Sequence, residues 1–222
     1  LVVVTDYAGI PADWKKLYYL KKKYNFVLIN DNCHALGSSY FGNTKYASKF
    51  ADIVVQSFHA VKNITTGEGG AILTNKIKLY KKYLSLREHG FEKQNYWTYD
   101  MKRIGFNSRL SEMQCALGVS QLKKINKFLK KRKFIRDYYD NYFKKLDNVE
   151  IPPQDKNKIS SNHIYFLRIN FKKLKLKKDF FIEELQKSKI FLQVHYIPTY
   201  RFSKYKILFD KKKFENNESF FK

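Results

Sequence analysis

Apolar residues in this chain recur in two arrangements, and the balance between them shifts along its length. Short unbroken apolar runs dominate the first third: Leu1-Val2-Val3-Val4, Phe26-Val27-Leu28-Ile29, Ile53-Val54-Val55 and Ala71-Ile72-Leu73. Runs of this length read as strands over residues 1–5, 26–29, 52–57 and 70–74, of the kind that parallel sheets bury on both faces. Between them the period lengthens to that of a helix. Trp14, Leu17, Tyr18 and Leu20 predict a helix over 11–24, with Asp13 placed to cap it. A helix is also predicted over 76–87. Residues 87–110 are irregular and aromatic. A helix over 110–117 is expected to break at Gly118, and a long lysine-rich one runs over 120–146, where Leu122, Ile125, Phe128, Leu129, Ile135, Tyr139, Tyr142 and Phe143 keep a helical period. Strand alternating with helix predicts an α/β domain.

Ile151-Pro152-Pro153 interrupts this pattern. Beyond it, 163–171 alternates like a half-buried strand, 178–187 reads as a helix and 191–196 as another strand. The expected organisation is a large domain over 1–120, a linking helix over 121–150 and a smaller α+β domain over 151–222.

Composition narrows the function classes. A chain of 222 residues with 44% hydrophobic content buries a substantial core and is not of the disordered kind. Its formal charge of +24 is uneven: residues 1–100 hold 14 basic and 8 acidic residues, and the rest hold 30 and 12. Solvated lysine faces on the later helices account for this, and a polyanion partner is the competing reading. Zinc, RRM and KH patterns are missing, so nucleic acid is not the expected partner. Cys33 and Cys115 form no CxxC pair, which fits a reducing, cytoplasmic compartment and no metal. Apolar runs of membrane length and a signal peptide pattern are likewise lacking, so no membrane association is expected. The sequence opens inside an apolar run without Met, as a chain that starts partway through a protein would.

The chemistry gathers at predicted strand ends, where α/β folds build their sites. Asp31 follows the second strand, and an acid there must cap a turn or pair with a cation. His34, three residues on, reads as a packed or capping residue when taken alone. Ser57 closes the third strand, where a hydroxyl makes a turn or holds a phosphate. Lys62 lies on the following turn, and a glycine-rich segment, Gly67-Glu68-Gly69-Gly70, comes next. That segment has neither P-loop nor dinucleotide-fold spacing. A desolvated lysine is a poor structural residue and a good amine nucleophile. Acid, hydroxyl and lysine in this order meet the needs of a pyridoxal 5'-phosphate site: a partner for the ring nitrogen, a phosphate ligand and a Schiff-base amine.

Four segments carry a resemblance. Asn30-Asp31-Asn32-Cys33-His34-Ala35-Leu36-Gly37, the stretch from Ser57 to Gly70, Gly105-Phe106-Asn107-Ser108-Arg109-Leu110-Ser111-Glu112-Met113-Gln114, and Gln193-Val194-His195-Tyr196-Ile197-Pro198 resemble the DegT/DnrJ/EryC1/StrS sugar aminotransferases. The resemblance runs over about residues 1 to 205. It implies a pyridoxal-phosphate-dependent transferase fold of the aspartate aminotransferase type (type I), with a mixed, mainly parallel sheet in the large domain and its N-terminal part absent. It further implies that Lys62 carries the cofactor and shuttles the proton, that Asp31 pairs with the pyridine nitrogen, that His34 lies against the ring or its hydroxyl, and that Ser57 binds the phosphate. Asn107 would serve the neighbouring site of a homodimer, and His195, Tyr196, Ile197 and Pro198 would contact the sugar nucleotide.

Within the family, the lysine segment and the His-Tyr-Ile-Pro wording are most similar to C4 transaminases of pseudaminic acid synthesis. The implied amino donor is L-glutamate and the implied acceptor a UDP-linked 4-keto-6-deoxy-N-acetylhexosamine. The sequence departs from the family pattern at Asn32 and Cys33, where alanines are usual, and at Ser108, where an aromatic is usual. Dehydrase relatives carry His where Lys62 stands, which argues against that chemistry. An inactive remnant of the fold and a polyanion-binding protein are the alternative readings.

Overall fold

The structure, a computed structural model, describes residues 1–205 and 214–221. The lysines at 211–213, expected to form a solvated turn, lie outside the described residues. The chain divides into two compact units, residues 1–169 and 170–222. The sequence pattern had put the small domain's start at 151.

The first unit is built on a four-stranded mixed sheet. Strand β1 (Val2–Thr5) leads through α1 (Trp14–Tyr24) to β2 (Leu28–Asp31). The short β3 (Ser39–Tyr40) and α2 (Tyr46–Phe50) precede β4 (Ile53–Ser57), and β5 (Gly70–Leu73) folds back beside it. The order across the sheet is β1-β2-β4-β5, with β1, β2 and β4 parallel and β5 antiparallel to β4. Parallel neighbours need a crossover, which α1 and α2 supply.

These elements form where the sequence places them, for local reasons. Asp13 caps α1 by accepting from the Lys16 N–H, and Asn25 ends it in the left-handed conformation at φ 49°. The second strand begins two residues later than the apolar run suggests, because Phe26 packs against the core. Trp14, Leu28, Tyr40, Tyr46, Ala47 and Val54 form that core, with Val2, Val4, Leu17 and Phe50 packed around it.

Helix α3 (Ile77–Arg87) is followed by a hairpin, β6 (Phe91–Lys93) and β7 (Tyr99–Met101), inside the segment expected to be irregular. Helix α4 (Glu112–Phe143) is continuous over 32 residues and starts at a capping box between Ser111 and Gln114. Gly118 therefore does not break it. A Cβ there would stand 2.9 Å from Thr66 Cγ2, so the glycine lets a loop approach the helix closely.

The remaining strands of this unit are two residues each: β8 (Val149–Glu150), β9 (Lys158–Ile159) and β10 (Arg168–Ile169). Strand β9 pairs with β3, and β10 with β8. The expected strand over 163–171 thus shrinks to Arg168–Ile169, because only β8 is there to pair with it.

The second unit contains α5 (Phe171–Leu174), α6 (Lys178–Lys187) and α7 (Glu215–Phe221). Residues 191–196 form no strand, a correction to the expected one, and Thr199–Arg201 makes a 3-10 turn. None of the described helices is long and apolar enough to cross a membrane.

Candidate active site

Three parallel strands end side by side, and the register decides which side chains meet. Thr5 pairs with Asp31 across β1 and β2, and Asp31 with Val55 across β2 and β4. Side chains alternate between faces along a strand, so Thr5, Asp31, Val55 and Ser57 share one face. The Thr5 hydroxyl donates to Asp31 Oδ2 at 3.3 Å, and the Cys33 N–H donates to Asp31 Oδ1 at 3.2 Å. Ser57 Oγ accepts from the His59 N–H at 3.4 Å.

Lys62 lies on the loop from β4 to β5, and its neighbours hold it there. The Lys62 N–H donates to His59 O at 3.0 Å. Asn63 is buried and donates to Leu36 O at 2.9 Å, tying this loop to the one that follows Asp31. Ile64 is buried as an apolar anchor. The loop closes where the Thr66 N–H reaches Phe58 O and the Phe58 N–H reaches Gly69 O. Gly69 has φ +150°, and a Cβ there would collide with Thr66 and Leu110. The α4 cap adds a further tie, from Gln114 Nε2 to Glu68 O at 3.0 Å. The third and second resembling segments therefore pack on each other. Lys62 itself is half-buried and, among the described residues, makes no ion pair.

Cys33 reports the charge of this patch. Burial, together with the hydrogen bond and charge of Asp31, pushes its thiol up to about 12, while the Lys62 ammonium pulls it back down. The Asn63 bond to Leu36 O brings the loop that carries Lys62 beside the one that follows Asp31 and Cys33.

Aromatic rings gather around His34, three residues beyond Asp31. The His34 ring lies 4.5 Å from His163 and 6.0 Å from Tyr7, and Tyr7 lies 5.8 Å from Phe166. The Ala8 N–H donates to His34 Nδ1 at 3.3 Å. His163 is held from α4, where Arg132 donates to the carbonyls of Asn162 and His163. Ser161 Oγ donates to His34 O at 2.7 Å. Neither Tyr7 nor His163 was singled out from the sequence. Tyr7 stands two residues past a strand end, which is a usable signal. His163 has none, because its approach to His34 depends on α4.

Asp31, His34, Ser57 and Lys62 thus converge on one end of the sheet. Asn107 stands apart: it is exposed, bridges Glu88 at the end of α3, and has no hydrogen bond to the converging group among the described residues. His195, Tyr196, Ile197 and Pro198 belong to the second unit. There the His195 and Tyr196 rings lie 4.5 Å apart, and His195 Nε2 is 3.2 Å from Gln193 Oε1. Clusters of His, Cys, Asp and Glu fit for a metal are missing among the described residues.

The donor set fits pyridoxal 5'-phosphate. A carboxylate offers about four lone-pair sites. Asp31 accepts from the Thr5 hydroxyl, the Cys33 N–H and the Cys33 thiol, and makes no ion pair among the described residues, although the chain carries 44 Lys and Arg. A protonated ring nitrogen would suit the remainder, Lys62 would supply the amine and Ser57 a hydroxyl for the phosphate.

The chain is similar to known proteins in sequence and fold. A UDP-4-amino-4,6-dideoxy-N-acetyl-beta-L-altrosamine transaminase of Campylobacter jejuni (serotype O:23/36, strain 81-176) is 41% identical over 221 residues, which are 100% of this chain and 58% of the relative. The protein of that name from Helicobacter pylori is 40% identical over 99% of this chain and 58% of its own length. This chain therefore spans somewhat more than half of the curated relatives it matches. Among solved structures, Helicobacter pylori PseC, an aminotransferase involved in the biosynthesis of pseudoaminic acid, superposes with a TM-score of 0.86 at 40% identity, over 93% of this chain and 55% of that one. The PLP form of a putative sugar aminotransferase from Streptococcus pneumoniae gives 0.86 at 29% identity, over 99% and 60%. The DegT/DnrJ/EryC1/StrS aminotransferase pattern matches residues 1–222, and the chain belongs to that family.

Proposed function

We propose that this chain carries the catalytic core of a pyridoxal-phosphate-dependent C4 aminotransferase. It moves an amino group from L-glutamate to a UDP-linked 4-keto-6-deoxy-N-acetylhexosamine in cell-surface nucleotide-sugar synthesis, in the cytoplasm. The observation that carries this reading is that Asp31 and Ser57 stand at the carboxyl ends of adjacent parallel strands, with the Lys62 loop tied to the loop after Asp31 by the bond from Asn63 to Leu36 O, and with neither Asp31 nor Lys62 in an ion pair among the described residues. The named relatives support the substrate class.

When bound, the cofactor supplies a conjugated electron sink for the carbon losing its proton. The chain's residues do the rest. The Asp31 carboxylate would accept a hydrogen bond from the ring nitrogen and keep it protonated. The Ser57 hydroxyl would donate to the phosphate. Lys62 Nζ would hold the cofactor and, once freed, take the proton from the α-carbon of glutamate; in the second half-reaction it would deliver a proton to C4 of the sugar. His34, backed by Tyr7 and His163, orients the ring. Asn107, exposed in the first unit, would serve the phosphate at the neighbouring site of a homodimer, and His195 to Pro198 would contact the sugar nucleotide.

The test is turnover. Purified protein is supplied with pyridoxal phosphate, L-glutamate and a panel of UDP-4-keto sugars, and 2-oxoglutarate is followed. Release with a 4-keto-6-deoxy-N-acetylhexosamine, and not with 4-hydroxy counterparts, is the expected result. Salt-sensitive RNA binding with no cofactor uptake would favour the polyanion reading.

A further inference from the structure

Beneath Asp31 and Ser57 lies a polar cluster that the proposed chemistry does not use. Asp6 follows β1 and is fully buried. Its Oδ1 accepts from the Ala12 N–H at 2.8 Å and from Trp14 Nε1 at 2.9 Å. Its Oδ2 accepts from Asn30 Nδ2 at 3.1 Å, Asn32 Nδ2 at 2.9 Å and the Tyr46 hydroxyl at 2.7 Å. The Tyr46 oxygen accepts in turn from Asn32 Nδ2 at 3.1 Å, and Asn32 Oδ1 accepts from Gln56 Nε2 at 2.6 Å.

Two features single this cluster out. All five contacts to Asp6 come from groups able to donate, which matches an ionised carboxylate, and of the five only the Tyr46 hydroxyl could accept a carboxyl proton. No cation pairs with it among the described residues. The cluster also interleaves with the site: Asp6 follows Thr5, Asn30 and Asn32 flank Asp31, and Gln56 precedes Ser57. By strand alternation Asn30, Asn32 and Gln56 face the buried side while Asp31 and Ser57 face the site. Asn30, Asn32 and Gln56 are all buried.

We propose that Asp6 is a positioning residue which, through Asn32 and Gln56, locks the tips of β1, β2 and β4 so that Asp31 and Ser57 are held in fixed relation to Lys62. The bond from Gln56 to Asn32 is the tie between the tip that presents the carboxylate and the tip that presents the hydroxyl. A side chain held by packing and hydrogen bonds from behind keeps a site within the sub-ångström tolerance that catalysis needs. Asn32, a departure from the family's usual alanine, is then part of the site's support. This inference rests on the proposed function for its cofactor readout and is independent of it for its thiol readout.

The test uses Gln56→Met, which keeps side-chain volume and removes the tie, and Asp6→Asn, both in a Cys115→Ser background so that Cys33 is the one thiol. Without cofactor, the rate of Cys33 alkylation at fixed pH is expected to rise at least fivefold in both variants, as a displaced Asp31 carboxylate no longer bonds and opposes ionisation of the Cys33 thiol. With pyridoxal phosphate, the dissociation constant from the visible absorbance change is expected to rise about tenfold in Gln56→Met while far-UV circular dichroism stays unchanged. Should Asp6→Asn fail to fold, Gln56→Met decides the matter alone. Lower thermal stability with unchanged Cys33 reactivity and unchanged cofactor affinity would overturn the positioning role. If the parent protein takes up no cofactor, the proposed function fails, and the thiol rates still decide whether Asp6 and Gln56 hold Asp31.

Discussion

Two buried carboxylates at opposite ends of one sheet are treated in opposite ways. Asp52 precedes β4, at the amino end of the parallel strands. It accepts from Lys21 at 2.7 Å, from Lys76 at 2.6 Å and from the Leu28 N–H at 2.9 Å. Burial pushes its pKa up, but the two lysine bonds and the Leu28 bond outweigh this and hold it at about 2. Asp6 lies at the carboxyl end, bonded only to neutral donors. There burial dominates and raises the pKa, with Tyr46, Ala12, Asn30 and Trp14 pulling it back. At the amino end the chain cancels its own charge. At the carboxyl end Asp6 and Asp31 make no ion pair among the described residues, in a chain of net charge +24. An Asp31 carboxylate without an ion pair is one that a cationic ring nitrogen could use.

The comparison breaks most sharply if the charge at the site end proves idle. Asp31→Asn is expected to slow the L-glutamate half-reaction of the cofactor-loaded protein by about 100-fold or more, since electrostatic contributions to a reacting group are of that size. Stopped-flow absorbance measures it, and a rate within threefold of the parent would break the comparison at that end.

The amino end is expected to respond in stability instead. Asp52→Ala leaves Lys21 and Lys76 facing each other and strands the Leu28 N–H, a loss of about 3 kcal/mol in urea unfolding. The pH dependence sharpens the same contrast. A carboxylate whose pKa falls from 3.8 to about 2 on folding stabilises the fold above pH 3.8, and that contribution of about 2 kcal/mol disappears as the pH drops toward 2. Asp6 has the opposite sign: its raised pKa favours the protonated folded form, so its contribution declines as the pH rises above 3.8. Unfolding curves of Asp52→Asn and Asp6→Asn, each subtracted from the parent, should therefore slope in opposite directions with pH. Parallel slopes would mean that the two ends are not differently built.

The smallest effect calibrates the rest. Lys133 and Asp137 form an exposed i,i+4 pair on α4. Asp137→Asn is expected to change stability by less than about 0.5 kcal/mol by the same urea measurement.

Much of the site was legible because its residues stand at ends of apolar runs. Asp31, Ser57 and Lys62 could be placed by strand and turn alone, and α1 by Asp13 and the apolar period. What stayed hidden depends on partners far away in sequence. Gly118 reads as a break, and only the approach of Thr66 explains a glycine inside α4. The patterns over 163–171 and 191–196 suggest strands, but a strand also needs a neighbour, and only Arg168–Ile169 finds one. Asn32 and Cys33 looked like plain departures from a family pattern. Asn32 bonds Asp6, Tyr46 and Gln56, and a hydrogen-bond network of that span leaves no mark in local sequence.

The central claim concerns one amine among the many lysines of a strongly basic chain. Borohydride reduction of the protein with pyridoxal phosphate, followed by peptide mass mapping, tests it directly. The label is expected on Lys62 alone, and Lys62→Ala should take up none. A label spread over surface lysines, or an equal yield from Lys62→Ala, would contradict the account.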